Sequence, residues 1–138
     1  METTFRGACL CGAVRYEIAG EPTRFYHCHC GRCRKASGTG HATNLVVVPV
    51  SAHWSGEDLI GSFKVPEAER FTNRFCTRCG SPVPRVVPQL GAVVIPAGSL
   101  DSDIPIEPEA HIFWNSRAGW SGGDQELPRY PESAPPSE

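Results

Sequence analysis

The residues whose type and spacing can do chemistry are seven cysteines in three short clusters. Cys9 and Cys11 form a C-x-C-G unit, Cys28, Cys30 and Cys33 a C-x-C-x-x-C unit, and Cys76 and Cys79 a C-x-x-C-G unit. The third has the form of a zinc knuckle, in which two thiolates in a tight turn meet one ion and the following glycine lets the backbone turn beneath it. A C-x-C pair can also ligate one ion, whereas as a disulfide it would be badly strained. An odd cysteine also remains in any all-disulfide scheme. Cys9, Cys11, Cys76 and Cys79 are therefore expected to close a four-thiolate structural zinc site that ties the N-terminal strand to the middle of the chain. Such a site contributes ~10–16 kcal/mol of apparent binding free energy to folding.

The remaining cluster has three thiolates. Zinc held by Cys28, Cys30 and Cys33 would keep a fourth position for water or substrate, as catalytic sites do. Three thiolates leave the unit at a formal charge of about −1, a weaker Lewis acid than a three-histidine site and a poor generator of hydroxide. A soft site suits a soft ligand, so an exogenous thiol is the natural occupant. Zinc would hold that thiol as the nucleophilic thiolate, although its free pKa is ~8.5. The competing readings are a second structural site completed by His27, His29 or His41, ligands exchanged between clusters, or one free cysteine.

Arg32, Arg34 and Lys35 surround the three-cysteine loop. Arg34 and Lys35 are the candidates for binding a substrate carboxylate, with a solvated charged loop as the alternative. His27 and His29 alternate with the cysteines, so at strand spacing they point away from the metal side, as packing or hydrogen-bonding residues; a proton shuttle is the minor option. Trp54, Trp114 and Trp120 read as core or pocket walls, and neither Ser37 nor Ser81 has a visible base.

These clusters need short elements to hold them. Residues 12–19 alternate Val14, Tyr16 and Ile18 with Arg15 and Glu17, the period of a half-buried strand. Further strands are expected at 25–27, at 44–50 (ended by Pro49), at 63–65, 70–75, 92–95 and 111–114, and, weakened by prolines, at 83–87. Residues 34–37 have room for one helical turn before Gly38, and no longer helical period occurs. With 14 glycines and 13 prolines in 138 residues, the class is all-β and the chain one domain over 1–130, followed by a Pro-rich tail, 131–138, expected to be disordered.

A net charge of −2 argues against a nucleic-acid partner. The apolar run 45–50 is too short to span a bilayer, and METTFRGACLCG lacks a signal-peptide h-region. A soluble cytoplasmic protein is expected, where reducing conditions favour thiols over disulfides. Self-association into a homo-oligomer is left open.

The segments GACLCGAVRYE (7–17), HCHCGRCRKASG (27–38), SGEDLIGSF (55–63), RFCTRCGSP (74–82), AGSLD (97–101) and HIFWNSRAGW (111–120) together resemble the glutathione-dependent formaldehyde-activating enzyme and centromere protein V family. The resemblance implies a small zinc-containing β-tent-like fold of curved antiparallel sheets. It implies a structural zinc on Cys9, Cys11, Cys76 and Cys79 and a second zinc on Cys28, Cys30 and Cys33. The implied activity is that of a carbon–sulfur lyase joining glutathione to formaldehyde as S-hydroxymethylglutathione. A non-enzymatic glutathione-binding or carrier module is the alternative. Where the family continues after its second knuckle with bulky apolar residues, this chain has Pro82, Val83, Pro84 and Arg85.

Overall fold

The computed structural model describes residues 2–121 and 126–136. Eight strands run in the order β1 (Thr3–Ala8), β2 (Arg15–Cys28), β3 (Ala42–Ser55), β4 (Ile60–Lys64), β5 (Thr72–Cys76), β6 (Arg85–Val87), β7 (Ala92–Pro96) and β8 (Ala110–Ile112). One seven-residue helix, α1 (Gly31–Ser37), lies between β2 and β3. The main sheet is ordered β1-β2-β3-β7-β6, and β4 pairs β5 in a separate hairpin. The mostly-β, curved antiparallel architecture is as expected, with one exception: β8 joins the free edge of β2 in parallel, aligning His111 with His27 and Ile112 with Cys28.

Alternation builds β2. Tyr16 and Ile18 are buried while Arg15 and Glu17 face out, the pattern of a sheet with one wet face. The inward side chains join Phe5, Phe25, Leu45, Val47, Val93 and Ile95 in one core. A second cluster of Cys9, Val14, Cys76 and Val83 sits around the sulfurs, and Trp54 packs against both.

Two expected strands, 12–19 and 25–27, are one 14-residue strand here, and β3 does not stop at Pro49. Both differences have the same cause. Gly20 pairs with Pro49 while Ala19 pairs with Ser51, so Val50 has no opposite residue and the register shifts there. A bulge of this kind absorbs the amide that proline lacks, and the ladder resumes beyond it. A second shift between Pro22 and Arg24 skips Thr23 in the same way. The strand expected at 83–87 shrinks to 85–87, with Val83 and Pro84 buried ahead of it. β1 was not expected, and Trp114, expected in a strand, opens a 3-10 turn.

Of the Pro-rich tail, residues 131–136 are exposed and carry neither strand nor helix, and 137–138 lie outside the described residues. Among the described residues no helix is long and apolar enough to cross a membrane.

Candidate metal centres and the cavity between them

All seven cysteines are free thiols, and they converge in two groups. Cys9 and Cys11 leave the end of β1, while Cys76 ends β5 and Cys79 follows in the turn. Their four sulfurs lie within 4.8 Å of one another. Cys9 Sγ is 3.6 Å from Cys11 Sγ, and Cys11 Sγ is 3.9 Å from Cys76 Sγ. Four sulfurs around zinc at ~2.3 Å would stand ~3.8 Å apart, so the donor set and its spacing fit a tetrahedral ion.

The two turns are built alike. Gly12 N–H donates to the Cys9 carbonyl at 3.0 Å and Gly80 N–H to the Cys76 carbonyl at 2.7 Å. Both glycines have φ of 78°, a region where side chains are strained. In each turn the first sulfur also accepts a backbone N–H, from Val14 to Cys9 at 3.3 Å and from Arg78 to Cys76 at 3.4 Å. Ser81 Oγ accepts from Leu10 N–H and lies 3.3 Å from Cys79 Sγ. Hydrogen bonding from the Ser81 side chain and backbone holds the Cys79 thiol down to about 5.

Cys28, Cys30 and Cys33 form the second group, also within 4.8 Å. They sit at the tip of the long β2–β3 hairpin, whose connection contains α1. Cys30 is the helix N-cap, its Sγ accepting from Cys33 N–H at 3.3 Å, and Gly38 closes the helix in the left-handed region. Among these sulfurs the Cys33 thiol hydrogen-bonds to Cys28, which drops to about 6, while Cys33 itself is pushed up. One member of the trio is thus held ready as an anion.

Cys33 opens onto a cavity of about 990 Å³, whose far wall includes Cys9 and Leu10. From α1 the lining residues are Cys33, Ala36 and Ser37, the i, i+3, i+4 face of one helix. Arg34 and Lys35 lie on other faces and are not among the lining residues. Lys35 is exposed, and Arg34 Nε is buried without a partner among the described residues. The cations on the cavity wall are instead Arg74 and Arg85. Sequence reasoning missed Arg85, although Pro82 to Arg85 had stood out against the family pattern. Trp120, 78% exposed, also lines the cavity and Trp114 does not.

The histidines make a cluster of their own. Rings of His27 and His41 are 4.2 Å apart, His27 and His111 5.1 Å, and His29 is 5.0 Å from both His41 and His111. His29 is completely buried, and its Nε2 lies 2.8 Å from His111 Nδ1. His27 Nδ1 is 2.8 Å from Thr43 Oγ1. Burial and the neighbouring imidazoles lower the pKa of His27 and His29, so these rings are held neutral. This is the packing and hydrogen-bonding role expected of His27 and His29. The partners His41, immediately before β3, and His111, on β8, were not foreseen.

The curved β-sheet thus carries two cysteine clusters that could hold zinc, and each contributes a residue to the cavity lining. A family model described as glutathione-dependent formaldehyde-activating enzyme matches residues 4–116, and the chain belongs to that family. No curated protein sequence matches the chain. A crystal structure of a Rhodobacter sphaeroides protein from a structural genomics programme has a similar fold. Its TM-score is 0.56 at 18% identity, and the match covers 80% of this chain and 99% of that one.

Proposed function

We propose that the protein is a zinc-dependent carbon–sulfur lyase that joins a glutathione-like thiol to a small aldehyde such as formaldehyde. The observation that carries this reading is the three-sulfur group of Cys28, Cys30 and Cys33, one of whose members lines a cavity of about 990 Å³. Three soft donors fit zinc with one position left for a further soft ligand. Zinc, when bound, supplies the positive charge that keeps a substrate thiol deprotonated near neutral pH.

The chain's own residues do the rest. Cys28, Cys30 and Cys33 fix where the reacting sulfur sits. Arg34 and Lys35, outside the lining, contribute positive field around the loop rather than contact. The reaction forms one carbon–sulfur bond between the thiolate sulfur and the aldehyde carbon, and the thiol proton ends on the aldehyde oxygen. The closed site of Cys9, Cys11, Cys76 and Cys79 holds the opposite wall in place. Seven reduced thiols suit the cytoplasm.

The test is to mix zinc-loaded protein with glutathione and formaldehyde and to follow S-hydroxymethylglutathione against the spontaneous rate. Acceleration that is lost in Cys30→Ser is expected. Saturable glutathione binding without acceleration would replace the lyase with a thiol carrier.

A further inference from the structure

We propose that Arg85 is the specificity residue of this site: its guanidinium binds a carboxylate on the thiol substrate while the thiol sulfur sits at Cys28, Cys30 and Cys33. The inference rests on the thiol reading above and narrows the substrate class to thiols that carry an acid.

Arg85 begins β6 and lies half buried in the cavity wall. A cation so placed needs an anion or a full set of acceptors. Its Nη1 donates to the Thr72 carbonyl at 2.9 Å, and its guanidinium lies over the Phe71 ring at 5.0 Å. These two contacts fix the plane of the fork and use one of its five N–H donors. Among the described residues Arg85 makes no further hydrogen bond, and none of its nitrogens is both fully buried and unpartnered.

Among the described residues no carboxylate pairs with Arg85. Burial lowers the Arg85 pKa, and the sulfurs of Cys33, Cys28 and Cys30 act in the opposite sense. Asp101, the acid on the cavity wall, acts on Tyr16. Arg74, the other cavity cation, lies over the Trp54 ring at 5.8 Å. Arg85 therefore combines a charge within reach of the three sulfurs with free donors in a fixed plane. That is the geometry that reads a carboxylate through paired N–H bonds.

The experiment uses two thiols of similar size on the zinc-loaded protein, 3-mercaptopropionate and 2-mercaptoethanol, which differ in bearing a carboxylate or a hydroxyl. Binding is measured by calorimetry, with zinc content and thermal stability recorded for every variant. Hydrogen bonds to a charged group predict that the wild type prefers the acid by about 10- to 100-fold. Arg85→Gln should abolish that preference by weakening 3-mercaptopropionate binding about 10- to 100-fold more than 2-mercaptoethanol binding. Arg85→Lys, which keeps charge but not the fork, should retain part of it and keeps the test open if Arg85→Gln folds poorly. Equal wild-type affinity for the two thiols overturns the proposal but leaves the thiol reading intact. An equal loss for both thiols in Arg85→Gln also overturns it, since Arg85 would then act only on the metal. Failure of both thiols to bind the wild type removes the thiol reading itself, and this assignment with it.

Discussion

The sulfurs of the two clusters are chemically the same, and what separates their roles is the neighbourhood of each residue. Cys79 has Ser81 beside it: Ser81 Oγ accepts from the Cys79 thiol and from the Leu10 N–H. The folded pKa of about 5 lies below the ~8.5 of an unconstrained thiol. A depressed pKa of this sign contributes stability that is complete above ~8.5 and is lost as pH falls through about 5. Protons compete with the ion for these thiolates, so metal should leave the four-cysteine site as the pH falls. Ser81→Ala should move release to higher pH and weaken metal retention about 10- to 100-fold in a chelator competition, the usual cost of removing a ligand's hydrogen-bond partner. The ligands themselves give a sharper contrast. Cys79→Ser is expected to lower the melting temperature severely. Cys30→Ser should leave a folded protein short of one zinc per chain by metal analysis. Equal unfolding of the two variants would make both clusters structural.

At the scale of elements, the ladder of β2, β3 and β7 carries the sites. Leu45 is fully buried on β3 among Phe5, Ile18, Val47 and Ile95. Leu45→Ala is expected to lose about 2–5 kcal/mol in denaturant unfolding, because the close-packed core collapses only partly around the space. How much of this was legible depends on the range of the signal. The cysteine groups could be read because ligand spacing is local within each turn, and the alternation of Tyr16 and Ile18 with Arg15 and Glu17 named its strand for the same reason. The junction of β2 into one strand could not be read, because Gly20 and Pro22 look like a break until Val50 is seen to bulge opposite Gly20 and Thr23 to bulge after Pro22. The cavity wall was hidden for a similar reason. Arg34 and Lys35 are near Cys33 in sequence, yet the helix turns them off the lining face. Arg85 is 52 residues from Cys33 by number and reaches the cavity only through the pairing of β6 with β7. The meeting of His27 and His29 with His41 and His111 likewise depends on β8 returning in parallel to β2.

For the molecule as a whole, the four-cysteine site joins parts of the chain that are otherwise held by the packing of Val14, Val83 and Trp54 and by the hydrogen bond from Leu10 to Ser81. Cys11 and Cys76 are 65 positions apart, and cross-linking a loop of that length restricts the unfolded chain by about 4 kcal/mol. The same separation has a consequence in time. At ribosomal rates of about 5–20 residues per second, Cys11 is made roughly 3–13 s before Cys76. Through that interval the nascent chain presents two thiols that are half of a binding site, open to oxidation or to a competing metal. The protein's birth is therefore more sensitive to cellular redox than its mature form. A nascent chain stalled before Cys76 should label readily with a thiol reagent at Cys9 and Cys11. Release of the full chain into zinc should protect both.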